Sequence, residues 1–186
     1  RMPVSPKALA GVRGLDFPCV RAGPWATRWL GALGAEVIKV EWPLNERGRT
    51  TGFSPPGMES NLNTATNFND TNANKKGITI NLRSKRGLEL IKKLVAVSDV
   101  VVENFSAKAL QSWGLGYEEL TKIKPDIVYV SQSGFGHTGR HREYLTMGPI
   151  AQAFSGLTFL SRLPGEQPAG WGWSYLDDTG VMSIAF

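Results

Sequence analysis

Residues 12–41 spell a complete β-α-β unit, and that unit constrains everything the remaining chain can become. Val12-Arg13-Gly14-Leu15-Asp16-Phe17 reads as a short strand running into a loop. Pro24 suits a first helical turn, where its missing N–H costs nothing. Residues 25–33 continue as a helix, and Gly34 is its C-terminal stop. Glu36 to Glu41 is a second strand, with Val37, Ile38 and Val40 supplying the β-branched content. Two strands joined through one helix run parallel, with a right-handed crossover.

The pattern repeats downstream. Ile78 to Leu82 is a strand, and Ser84 caps a helix reaching about residue 97, with Leu88, Ile91, Leu94 and Val95 at helical spacing. Residues 99–103 and 126–131 are further strands. Residues 106–113, 117–123 and 149–156 are helical. Residues 42–69 form a long loop rich in Pro, Gly, Asn, Thr and Ser, of the kind that is usually functional. Alternating strands and helices predict an α/β fold, an open, mostly parallel, Rossmann-like sheet with flanking helices. The end, Gly180-Val181-Met182-Ser183-Ile184-Ala185-Phe186, is apolar and uncapped, which predicts a piece of a longer protein.

Hydrophobic residues make up 41% of the 186, enough for a core. No apolar run approaches the roughly 20 residues that cross a bilayer, and residues 1–10 lack a signal-peptide core. Those features predict a cytoplasmic protein that does not engage a membrane. Cys19 is the sole cysteine, which excludes an internal disulfide and a multi-cysteine metal site. The net charge of +5 favours anionic partners. Its lysines and arginines are scattered, which argues against nucleic acid, and a phosphorylated cofactor fits the sign of the charge equally well.

Candidate chemistry centres on Tyr175-Leu176-Asp177-Asp178-Thr179-Gly180. These carboxylates stand at a polar turn before an apolar, helical stretch. One reading is a helix cap, for which aspartate is a preferred residue. The other is a nucleophilic carboxylate, a known covalent role for aspartate. Neighbouring residues do not share a helix face, so one of the two at most enters a given site. Cys19 is better read as a small buried hydrophobe than as a nucleophile. His137 and His141 have the spacing of a metal pair on a helix, but the glycines around them argue for a loop and against metal. Trp171 and Trp173 flank Gly172 and offer aromatic faces to a cationic acid or to ordinary packing.

Several segments, in order and spacing, resemble the family III CoA-transferases, the formyl-CoA transferase and carnitine CoA-transferase group. They are Ala22-Gly23-Pro24 with its following helix and strand, Asn72-Ala73-Asn74-Lys75-Lys76-Gly77, Val102-Glu103-Asn104-Phe105, Val130-Ser131-Gln132-Ser133-Gly134-Phe135-Gly136, and Asp177-Asp178-Thr179-Gly180. The resemblance implies that residues 1–186 are the N-terminal part of a large CoA-binding domain, without the small domain and C-terminal return. It implies CoA transfer from an acyl-CoA to a small carboxylic acid through an aspartyl intermediate on Asp177, with Asp178 the fallback. It implies CoA as substrate, no permanent cofactor, no metal, and an interlocked homodimer. It places Cys19, Val20, Arg21 and Ala22 on the substrate loop, Lys75 on a CoA phosphate, and Asn104, Phe105 and Phe135 along the CoA channel.

The departures matter. Cys19 and Arg21 stand where formyl-CoA transferases tend to have His and Gln, which turns the expectation away from oxalate and towards another carboxylate held by Arg21. Ser112 and Ser133 stand where basic residues are often found, so phosphate contacts are rearranged. An acyl-CoA racemase of the same superfamily is the alternative reading. Its histidine base would fall at Met147, which cannot act as one. A non-catalytic CoA-binding half of a tandem protein is a third.

Overall fold

A computed structural model describes residues 7–42, 49, 53–172 and 175–185, apart from the side chains of Ser183 and Ile184. Trp173, Phe186 and residues 43–48 and 50–52 of the expected loop lie outside the described residues. The first strand, β1 (Arg13–Asp16), leads through α1 (Ala22–Ala32) to β2 (Glu36–Glu41). Then follow α2 (Thr66–Thr71), β3 (Lys75–Thr79), α3 (Lys85–Val95) and β4 (Val100–Glu103). The remaining elements are α4 (Ala109–Ser112), α5 (Tyr117–Ile123), β5 (Val128–Ser131), α6 (Gly148–Phe154), α7 (Leu157–Leu160) and α8 (Tyr175–Ala185). Helix α2 begins inside the segment expected to be a loop and runs past its end. Strand β3 starts at Lys75, three residues before its apolar run, because it is built by pairing with β2 from Val37↔Lys75 onward.

The five strands lie in the order β3-β2-β1-β4-β5, and each neighbouring pair is parallel. Leu15 at the centre of β1 faces Ile38 on one side and Val101 on the other. Buried Leu15, Val101, Ile91, Leu115 and Leu120 join sheet and helices in one core. Helix α3 shows why its sequence is helical. The Ser84 hydroxyl accepts from the Gly87 N–H at 3.0 Å, and Gly87, Ile91 and Val95 are buried at a four-residue spacing. Lys92 and Lys93 occupy the last turn, where cations suit the helix dipole. Among the described residues no helix is long and apolar enough to cross a membrane.

Chain order runs outward one way through β1, β2 and β3, and the other way through β4 and β5. Between β1 and β4 the direction reverses. In such sheets the crevice beyond the strand ends at this reversal is where ligands bind. The loops that open there are residues 17–21 after β1 and residues 104–108 after β4.

Asp16 ends β1 with a fully buried carboxylate. Lys75 Nζ pairs with its Oδ2 at 2.7 Å, and Lys39 Nζ stands at 3.8 Å. The Lys39 ammonium donates to the Pro18 carbonyl at 2.7 Å, and the Lys75 ammonium donates to the Pro24 carbonyl at 2.7 Å. One carboxylate therefore fixes both ends of the loop between β1 and α1. Burial lowers the Lys75 pKa to about 8, with the Asp16 charge pulling it back up.

Removing one member of a buried ion pair leaves the other uncompensated, at a cost of about 3–5 kcal/mol. Lys75→Met is expected to destabilise the full-length protein by that order in urea unfolding. Asp16→Asn with Lys75→Met is expected to cost clearly less than the sum of the single changes. Simple additivity would show that the pair does not act as a unit.

Candidate active site

The loop after β1 is pinned at each residue. The Cys19 N–H donates to Asn104 Oδ1 at 2.9 Å, and Asn104 Nδ2 donates back to the Cys19 carbonyl at 3.0 Å. Asn67 Nδ2, on α2, donates to the Val20 carbonyl at 2.9 Å. Those contacts hold Val20 at φ 69°, a conformation that costs a β-branched residue about 1–3 kcal/mol. A Cβ at Gly23 would lie 2.8 Å from Pro18 Cγ and 3.0 Å from Asn104 Cγ, so this turn closes only around glycine.

Arg21 links the loop to α8. Its Nε donates to Asp178 Oδ1 at 2.7 Å, its Nη1 donates to Asn67 Oδ1 at 3.2 Å, and its guanidinium lies 4.5 Å over the Trp25 ring. Asp177 and Asp178 sit inside the first turn of α8, not in a turn ahead of it. The two carboxylates diverge as adjacent helical positions require. Asp178 goes to Arg21, and Asp177 goes to α6.

Asp177 is half-buried, and its carboxylate accepts the backbone N–H of Gly148 at the start of α6. A Cβ at Gly148 would stand 2.5 Å from Asp177 Oδ2, so no other residue lets α6 approach this closely. Burial pushes the Asp177 carboxyl above its ordinary range. The Gly148 N–H opposes that rise, the Asp178 charge adds to it, and the Arg21 charge opposes it. A cavity of about 110 Å³ opens beside it, walled by Asp177, Gly148, Met147, Gln132, Asn104 and Ala22.

A larger cavity of about 550 Å³ is walled by Cys19 and Val20 from the same loop, by Phe105 and Trp113, and by Arg83 and Trp42. The loop thus contributes to both cavities. Phe105 and Trp113 meet edge to face with centroids 6.0 Å apart. The Arg83 guanidinium lies 4.4 Å over the Trp42 ring. Arg49 and Lys39 also reach this wall, but Arg49 is paired with Glu41 at 2.9 Å and Lys39 with the Pro18 carbonyl.

Of the residues expected at the site, Cys19, Val20, Ala22, Asn104, Phe105 and Asp177 meet the two cavities, and Arg21 stands beside Asp177. Asn104 acts as the loop's anchor. Lys75 does not reach either cavity. Its side chain is 2% exposed, so a phosphate contact would require it to leave Asp16. Phe135 packs instead on Phe154 and Tyr144, with centroids at 4.8 and 5.7 Å. Burial raises the Cys19 thiol pKa, with Lys39 opposing, which keeps the thiol protonated and unreactive. The histidines do not form a pair. His137 Nε2 lies 2.8 Å from Ser131 Oγ, while His141 Nε2 accepts from Arg140 Nε at 2.8 Å. Trp171 packs on Tyr175 at 4.8 Å. Asn67 and Gly148 were not singled out in the sequence, and Asp16 and Gln132 stood there only inside longer segments, as members of a strand and of a motif. For Gly148 the signal was a glycine next to the helix-starting Pro149.

Residues 9–186 match the model of CoA-transferase family III. A succinyl-CoA:glutarate CoA-transferase of Mus musculus is 44% identical over 96% of this chain and 40% of its own length. A succinate–glutarate CoA-transferase of Agrobacterium fabrum is 37% identical over 99% of this chain and 47% of its own. The crystal structure of a CAIB/BAIF family protein from Brucella suis superposes with a TM-score of 0.86 at 36% identity, over 97% of this chain and 48% of that one. The chain spans less than half the length of each of the three.

A carboxyl whose folded pKa is raised penalises the fold wherever it is charged. That penalty is fully present at neutral pH, fades as pH falls through the raised folded value, and is gone below the unfolded value. Asp177→Asn is therefore expected to raise the melting temperature at pH 7, with the difference shrinking towards pH 3. Calorimetry at the two pH values checks this, and a lower melting temperature at pH 7 would contradict it.

Proposed function

This chain belongs to CoA-transferase family III, and on that footing we propose that its protein moves CoA from an acyl-CoA to a carboxylic acid through Asp177. The observation that carries the reading is the half-buried Asp177 carboxylate, held by one N–H at the mouth of a small cavity. Burial keeps water from the anion, and a raised pKa makes it the better nucleophile. Asp177 attacks the thioester carbonyl, the C–S bond breaks, and CoA leaves as thiolate with Asp177 as a mixed anhydride. The thiolate then attacks the aspartyl carbonyl, the donor acid departs as a carboxylate, and Asp177 carries CoA as a thioester. An acceptor carboxylate runs the two steps in reverse and frees Asp177. CoA enters as a substrate, and the cycle needs no permanently bound group.

A dicarboxylate acceptor fits best. The mouse and Agrobacterium relatives are named for succinate and glutarate. Arg21, paired with Asp178, still brings positive charge near Asp177, which favours an acceptor with a second carboxylate. For the CoA phosphates, Arg83 on the larger cavity takes the place expected of Lys75, since its ring contact with Trp42 leaves donors for an anion. Met147 on the wall beside Asp177 argues against the racemase reading. A non-catalytic half would have no use for the Asp177 arrangement. We read the chain as the N-terminal part of a large CoA-binding domain in a cytoplasmic homodimer. Ile150, Phe154, Phe159 and Leu160 on α6 and α7 are more than half exposed, which supports burial in a larger assembly.

The test uses the full-length protein with succinyl-CoA, trapped by hydroxylamine and read by peptide mass spectrometry. Modification is expected at Asp177. Asp177→Asn is expected to bind CoA while transfer falls by several orders of magnitude, each tenfold being about 1.4 kcal/mol of barrier. Asp178→Asn is expected to raise the acceptor KM, because it releases Arg21. Label on Asp178, or full activity in Asp177→Asn, would overturn the assignment.

A further inference from the structure

Gln132 follows β5 directly, and its N–H donates to the Glu103 carbonyl at 3.0 Å, which fixes its backbone at the end of the sheet. Its side chain walls the cavity of Asp177. The carboxamide Oε1 is buried and has no hydrogen-bond partner among the described residues. An unpaired buried polar atom costs about 1–3 kcal/mol, and native structures rarely keep one without a reason. The other end, Nε2, lies against α8. A Cβ at Gly180 would stand 2.6 Å from it. Gly180 is three residues beyond Asp177, so both lie on one face of α8. The missing side chain at Gly180 is what lets the Gln132 carboxamide sit one turn from the nucleophile.

We infer that Gln132 is a second catalytic residue of this site, whose amide N–H donates to the acyl oxygen as Asp177 attacks. This rests on the reaction proposed above. Attack on a thioester turns its carbonyl oxygen into an oxyanion, which needs a preorganised donor. The Gly148 N–H is already engaged by the Asp177 carboxylate, so it is not free for that task before attack. The Gln132 amide is uncharged, polar on both ends, fixed at the sheet edge and unpartnered at Oε1. Rotation about its last bond exchanges oxygen and nitrogen, so the N–H can be presented to the cavity at little cost.

The experiment measures succinyl-CoA-dependent transfer to glutarate in the full-length protein. Gln132→Met keeps the length of the side chain and removes both polar atoms. Its kcat is expected to fall about 10²- to 10³-fold, the loss typical of one oxyanion donor, with the KM for succinyl-CoA changed little. Gly180→Ala displaces the carboxamide and is expected to lower kcat in the same way. In a Gln132→Ala background, where the space is empty, the same Gly180→Ala change is expected to cost almost nothing further. That loss of additivity is not expected of a glycine kept for its backbone alone. Unchanged kcat in Gln132→Met, or equal cost of Gly180→Ala in both backgrounds, overturns the role of Gln132 and leaves the transferase reading standing. A wild-type protein that neither binds CoA nor transfers it overturns both.

Discussion

The buried carboxylate of Asp16 is the interaction on which the rest depends. A carboxylate taken wholly out of water is costly unless it is paired, and here two ammoniums serve it. The Lys39 ammonium also donates to the Pro18 carbonyl in the loop, and the Lys75 ammonium to the Pro24 carbonyl in the first turn of α1. The sheet thereby dictates the path of the loop that joins β1 to α1, and that loop touches both cavities. Asn104 completes the constraint from β4 by closing on both polar groups of Cys19. Val20 can be held in a left-handed conformation because its neighbours leave it no alternative.

Charge is distributed with similar economy around the candidate nucleophile. Two adjacent aspartates at a helix start would repel each other if they shared a site. Asp178 turns to Arg21, which is itself held by Asn67 and laid over Trp25. Asp177 is left with a single backbone N–H and a half-buried position, so its carboxyl rises while that of its neighbour is matched by a cation. Two identical side chains, one residue apart, are given different roles by their surroundings.

How much of this was legible in the sequence follows from the range of each interaction. The β-α-β unit, the Ser84 cap and the Ile91–Val95 spacing are local signals, and the parallel sheet followed from them. Helix α2 was missed because its six residues, Thr66–Thr71, contain no apolar period and are stabilised by tertiary contacts such as Asn67 with Val20. Lys75 stands away from both cavities for a related reason. Its motif points to a lysine after a polar turn, but nothing local reveals that Asp16, fifty-nine positions earlier on another strand, waits beneath it. The pairing Val37↔Lys75 decides that, and register is a property of the sheet. Asp177 was singled out because a motif carried it. Gln132 stood only inside a longer segment, because what sets its side chain is the absence of a side chain at Gly180.

That last point generalises across the site. Gly148 and Gly180 each stand where a Cβ would collide with a polar group, the carboxylate of Asp177 in one case and the amide of Gln132 in the other. Glycines in helices carry a conformational cost of roughly 0.5–1 kcal/mol relative to alanine. Helix α8 accepts that cost at Gly180, inside the helix, while Gly148 stands at the first position of α6. What the two glycines allow is the Asp177 carboxylate and the Gln132 amide close to the helix backbone. The cavity is shaped by the positions where side chains are missing as much as by those where they are present. A substitution that looks conservative at either glycine would fill the space that the proposed chemistry requires.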